Sequence, residues 1–169
     1  MNTYNPHFMS RAIELSQQAY HSQKGLPIGC VIVKDGKIIG EGHNEIFSRM
    51  IPTAHGEMVA IENACQNLNQ LLLEGCELYT TLEPCPMCFS AIYWAKIKTV
   101  YYACSNEDAA TIGFDDSFIL DQMKKKKSEQ LIPMTQVENT AAFKVLLDWQ
   151  DLAQDASQPW QNEYSRMSP

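Results

Sequence analysis

The stretch "CELYTTLEPCPMCFSAIYWAKIKTVYYA", residues 76–103, decides how this chain folds. "CELYTT" is a short apolar and β-branched run of strand length, the pattern of a buried strand. "PMCFSAIYWAK" follows just after Pro84 and reads as a helix opening there. "KTVYYA" is again strand-like. Strand, helix and strand in direct succession form the unit from which sheets with helices on their faces are built.

Working outward, the same alternation continues. Met58, Ile61, Cys65 and Leu68 recur at helical spacing upstream, with Thr53 expected as the cap. "PIGCVIVKDGKIIGEGHN", residues 27–44, holds two short β-rich runs around Asp35-Gly36, a hairpin signal. Phe8, Ala12, Leu15 and Ala19 predict a first amphipathic helix over 7–23. Downstream, residues 105–128 read as short helical turns and loop. "LIPMTQV", residues 131–137, is expected as an edge strand because Pro133 cannot donate to a ladder. Ala142, Val145, Trp149 and Leu152 mark a last helix, and the chain ends in a polar tail. The expected fold is α/β, a three-layer α/β/α sandwich with one mixed five-stranded sheet flanked by helices. Residues 1–155 are read as one domain and 156–169 as a C-terminal tail.

Composition narrows the function. With 169 residues, the chain is long enough to bury a core without staples. The N-terminus lacks a basic region followed by an apolar run, and no segment has spanning length, so a cytoplasmic protein with no membrane association is expected. The six cysteines are then read as reduced thiols or metal ligands. A net charge of −7 and a pI near 5.0 oppose binding to a phosphate backbone, which needs clustered Lys and Arg. The one basic run, Lys124 to Lys127, reads as a solvated helix end. No nucleic-acid partner is expected.

The chemistry is carried by "TAHGEMVAI", residues 53–61, and "EPCPMC", residues 83–88. Two residues apart in mid-helix point to nearly opposite sides. At the open N-terminal end, however, His55 and Glu57 both reach over the first turn. Cys85 and Cys88, three apart in the first turn of the next helix, share a face. His55, Cys85 and Cys88 make three ligands and leave a fourth tetrahedral position open, the arrangement of a catalytic rather than a structural zinc. Glu57 is the free carboxylate beside that position, suited to moving protons between a water and a substrate nitrogen. Gly56, between them, costs a helix about 1 kcal/mol against alanine, so its backbone freedom or its missing methyl is being used.

His-x-Glu followed by Pro-Cys-x-x-Cys resembles the signature of the cytidine/cytosine deaminase-like zinc deaminase superfamily, over roughly residues 7–150. "EPCPMC", "AIYWA" and "DAATIGFDDSFI" (108–119) resemble its bacterial guanine deaminase branch, while "GLPIG", "HGE" and "AIENA" resemble its fungal cytosine deaminase branch. The resemblance implies one Zn2+ per chain and a homodimer, with C-terminal segments exchanged between subunits. It implies hydrolysis of a free nucleobase, guanine to xanthine and ammonia, with Glu57 and Asp116 catalytic. It places Asn44 against the base, Ile28 where the family commonly has a stacking aromatic, and Gly56 where alanine is commoner. Trp94 is expected to border the pocket and Tyr164 to reach substrate from a tail that closes it. The alternatives are deamination of cytosine or another amino-heterocycle such as ammeline or a nucleoside, then tRNA adenosine deamination, which needs a basic docking surface. A non-enzymatic zinc module would need no Glu57. His7, His21 and His43 read as surface or locally bonded residues, and Cys30, Cys65, Cys76 and Cys104 as inert buried thiols.

Overall fold

The hairpin is set by Asp35 and Gly36, whose φ angles of 50° and 72° are the left-handed pair that tight turns between twisted strands require. It joins β1 (Gly29–Lys34) to β2 (Lys37–His43) in antiparallel register, from Lys34 opposite Lys37 to Gly29 opposite His43. In this computed structural model, which describes residues 4–155 and 157–167, β1 also pairs antiparallel with β3 (Glu77–Leu82). β3 runs parallel to β4 (Thr99–Cys104), and the sheet order is β2-β1-β3-β4.

Side-chain alternation along β1 divides the core. Val31 and Val33 face α1 (Pro6–His21), where they meet Phe8, Met9, Ala12, Leu15 and Tyr79. Cys30 and Ile32 face the opposite layer, α3 (Gly56–Leu68) and α4 (Pro86–Trp94), with Ala60, Ala64, Leu78 and Ile92. Each such aliphatic side chain contributes about 1.5–3 kcal/mol by leaving water. The three-layer sandwich with a mixed sheet is thus present. Between β2 and α3 lies the one-turn α2 (Ile46–Arg49), and after β4 come α5 (Asn106–Thr111) and α6 (Ser117–Lys124).

Three expectations change. Among the described residues the sheet has four strands, not five. Residues 131–137 are irregular, with Leu131, Ile132, Met134 and Val137 exposed. A strand exists only when a neighbour supplies its ladder, and local apolar character does not name that neighbour. α3 is capped by His55 rather than Thr53. The polar tail contains a helix, α8 (Gln161–Met167), following α7 (Thr140–Ala153).

The packing divides between Ile119 and Leu120 into two compact units, earlier than the boundary read at 155. Within the second, Trp160 stacks on Trp149 with ring centroids 4.4 Å apart. Gln161 Nε2 donates to the Ala153 carbonyl at 3.3 Å. Phe143, Val145, Leu146 and Trp149 of α7 nevertheless remain exposed. No helix among the described residues is long and apolar enough to cross a membrane.

Candidate metal and active site

Two helix N-termini meet at one point. His55 is the N-cap of α3 and Cys85 the N-cap of α4, both with extended backbone and neither making a side-chain capping bond. A conventional cap there is worth about 1 kcal/mol. Both helices forgo it, and both cap side chains converge instead on Cys88, in the first turn of α4. His55 Nδ1 stands 3.6 Å from Cys85 Sγ and 3.6 Å from Cys88 Sγ. Tetrahedral zinc, with bonds of about 2.3 Å to sulfur and about 2.0 Å to nitrogen, would hold such atoms about 3.5 Å apart. The geometry therefore fits the ion: His55, Cys85 and Cys88 are a group that could hold one Zn2+ per chain.

Without an ion, one of the three groups already favours its ligating form, the Cys85 thiolate. Hydrogen bonding from Cys88 pulls the Cys85 thiol down to about 4, and the same bond pushes Cys88 well up. The bond to Cys85 in turn raises His55. Helix dipoles at the two N-termini add positive potential that favours thiolates.

Glu57, in the first turn of α3, is buried at 3% exposure. Its Oε1 accepts from Thr80 Oγ1 at 3.1 Å, and its Oε2 accepts from Cys88 Sγ at 3.6 Å. Burial is the main cause that raises its carboxyl above the ordinary range. Beside it opens a cavity of about 230 Å³ walled by Leu26, Ile28, His55, Glu57, Leu82, Glu83, Cys85, Asn106, Gly113, Phe114, Asp115 and Asp116. That is below the roughly 300 Å³ at the small end of drug-sized sites, so it suits a single ring system. The two aspartates separate: Asp115 Oδ1 accepts from the Ser117 amide at 2.9 Å at the start of α6. Asp116 is half-buried, with its carboxyl raised by burial and by the negative charge of Cys85.

Asn44 is fully buried. Its Oδ1 accepts from the amides of Leu26 at 3.1 Å and Ile46 at 3.3 Å. These two donors fix the orientation of the amide, and Nδ2 is left with no hydrogen-bond partner among the described residues. An orphaned buried donor costs about 1–3 kcal/mol, which a ligand acceptor would offset. The Ile28 carbonyl accepts from the Asn44 amide at 2.9 Å. Gly56 also meets Ile28: a Cβ on Gly56 would lie 3.0 Å from the Ile28 oxygen. Gly56 is not at positive φ, so backbone freedom is not what this position uses. An added methyl would require the Ile28 carbonyl, just ahead of β1, to give by a few tenths of an ångström.

Trp94 ends α4 at 66% exposure and does not line the cavity. Tyr164 falls on α8, and its side chain lies outside the described residues. His43 is locally bonded, its Nδ1 lying 3.2 Å from the Asn44 carbonyl, and His7 and His21 are exposed. Cys30 and Cys76 are buried as expected, Cys65 only partly so, and Cys104 is exposed, because it ends the edge strand β4. Lys124 is exposed and pairs with Asp121. A larger groove of about 800 Å³ runs along β2, but its charged side chains are paired among themselves, Arg11 with Glu41 and Arg49 with Glu45 and Glu62.

Sequence reasoning missed Thr80 and Glu83. Glu83 Oε2 accepts from the Asn106 amide at 3.0 Å and so anchors the segment that leads to Asp116. The available signals were slight: a hydroxyl in an otherwise apolar strand, and a carboxylate beside the cysteine motif.

Comparison with known proteins gives the same picture. Residues 3–104 match the family described as the cytidine and deoxycytidylate deaminase zinc-binding region. The guanine deaminase of Bacillus subtilis is 46% identical over 146 residues, 86% of this chain and 94% of that protein. The tRNA-specific adenosine deaminase of Aquifex aeolicus is 45% identical over 98 residues, 57% and 64% of the two chains. An X-ray structure of the B. subtilis guanine deaminase superposes with a TM-score of 0.86 at 43% identity, covering 92% of this chain and 99% of that one. With the zinc ligands, the sandwich and the family match in agreement, the chain belongs to the cytidine and deoxycytidylate deaminase zinc-binding family.

Proposed function

We propose that this chain is a zinc-dependent aminohydrolase that converts guanine and water to xanthine and ammonia. The observation that carries the reading is that Glu57 and Asp116, two of the four carboxylates in the wall, line one cavity of nucleobase size that His55 and Cys85 also line. Similarity to a guanine deaminase along most of both chains supports the same substrate.

Bound zinc lowers the pKa of a water toward 7 and so supplies a nucleophile at neutral pH. Glu57 takes the proton from the attacking water and delivers it to N3 as oxygen adds to C2. Asp116 accepts a hydrogen bond from the exocyclic amino group. Glu57 takes the remaining proton of the hydroxyl added at C2 and, with Asp116, passes it to that amine as the C2 carbonyl forms. The C2–N bond then breaks and ammonia leaves. Asn44 Nδ2 donates to an acceptor on the base, and Ile28, Leu82 and Phe114 exclude water from around the ring.

The protein is further read as a cytoplasmic homodimer that exchanges C-terminal segments and acts without nucleic acid. The exposed apolar face of α7 and the apolar run 131–137 support a partner copy, and the net charge of −7 opposes tRNA. Ammonia release from guanine, cytosine, adenine, cytidine, guanosine and ammeline tests the substrate. Guanine is expected to turn over fastest. A preference for cytosine, or activity only on tRNA, overturns the reading.

A further inference from the structure

Glu57 has two carboxylate oxygens, and a residue that carries protons between a water and a ring needs one of them free and aimed. Oε1 is occupied: Thr80 Oγ1 donates to it at 3.1 Å, between two side chains that are both buried. Oε2 lies on the other side, 3.6 Å from Cys88 Sγ, toward the zinc ligands. The carboxylate is thus tethered by one oxygen and presented by the other.

The strand makes this tether rigid. Thr80 is fully buried on β3, opposite Cys30 of β1. Along β3, Tyr79 belongs to the α1 face of the core and Leu78 to the α3 and α4 face. Alternation puts Thr80 on Leu78's face, beneath the first turn of α3. The neighbours on that face are apolar, including Cys30, Ile32 and Leu78. Valine has the same shape and packs in a strand at least as well, so packing alone gives no reason for a hydroxyl here. A β-branched side chain is stiff at χ1, so Oγ1 has a direction set by the strand. A hydroxyl can donate to a carboxylate, whereas a methyl group would leave Oε1 buried and one donor short.

We propose that Thr80 is a positioning residue for deamination: its hydroxyl holds Oε1 of Glu57, so that Oε2 alone faces the zinc ligands and the substrate cavity. The proposal rests on the reading of Glu57 as the proton carrier. Without the tether the carboxylate remains in place on α3 but samples orientations in which neither oxygen reaches the reacting atoms. The effect belongs to the chemical step, because Thr80 acts through Glu57 and is not among the residues that line the cavity.

Thr80→Val and Thr80→Ser, with Glu57→Gln as a separate arm, test this on the full-length zinc-loaded protein. Thr80→Val is expected to lower kcat for guanine by about 10- to 100-fold, the scale of a misplaced catalytic group. KM should stay essentially unchanged, as for an interaction needed only in the transition state. Zinc content should match that of the unmodified protein, and the fold should be retained with a Tm lowered by a few degrees at most. Thr80→Ser, which keeps the hydroxyl, should recover most of the lost kcat. Wild-type kcat in Thr80→Val beside an inactive Glu57→Gln overturns the role of Thr80 and leaves Glu57 standing. Loss of activity that comes with loss of zinc, or that persists in Thr80→Ser, overturns it as well. Full activity in Glu57→Gln overturns the reading beneath it.

Discussion

At the scale of single residues, the site separates groups that the sequence presents side by side. Asp115 and Asp116 are neighbours, yet one accepts from the Ser117 amide while the other is half-buried in the cavity wall. Asp116→Asn is therefore expected to slow guanine turnover by about 10²-fold or more, the size of a lost acid or base, with zinc and fold retained. Asp115→Asn should leave kcat within a few-fold, and equal losses in the two variants would count against the assignment. Gly56 offers a second test. An added methyl would press on the Ile28 carbonyl, which in turn holds the amide of Asn44. Gly56→Ala should raise KM for guanine more than it lowers kcat, even though alanine favours helix by about 1 kcal/mol. An unchanged KM would show that the Ile28 carbonyl yields without disturbing Asn44.

At the scale of elements, the edge strand β2 is held from both sides. Asn63 and Asn67, one turn apart on α3, donate to the carbonyls of Glu41 at 2.8 Å and Ile39 at 2.9 Å. Occupying backbone groups on an edge strand in this way limits pairing with other chains. From α1, Arg11 donates through Nε and Nη2 to the two oxygens of Glu41, each at 2.8 Å. That bond holds the Glu41 carboxyl below its ordinary 4.5. Because the folded value is the lower one, its contribution to stability is present above pH 4.5 and is lost as pH falls through the folded value. The pair is partly exposed, 30% and 37%, so about 1 kcal/mol or less is expected. Glu41→Gln should lower Tm at pH 7 by a few degrees, and melts below pH 4 should show the difference closing. A gap that is constant with pH would mean that the bond acts through packing and not through charge.

At the scale of the whole molecule, the second unit exposes a dozen large apolar side chains, among them Leu131, Ile132, Val137, Phe143 and Val145, and exposed apolar surface marks interfaces. A solution mass near twice 19.1 kDa is expected by light scattering, and a monomer would remove the homodimer reading. Deleting residues 156–169 removes Trp160 from its stack on Trp149 and should raise KM for guanine while zinc content stays intact. Unchanged kinetics would leave α8 without a role at the site. The sequence by itself determined the His55, Cys85 and Cys88 grouping, the hairpin and the alternation of strands and helices. Each of these is fixed by short spacings that helix and strand geometry convert directly into shared faces. Only tertiary structure decided that Thr80 lies beneath Glu57, 23 positions away, and that Asn44 Nδ2 is a buried donor with no partner among the described residues. It alone settled that Gly56 lies against Ile28, and that residues 131–137 have no ladder partner among the described residues. Those outcomes depend on strand register and on how closely separate elements approach, which no local pattern encodes.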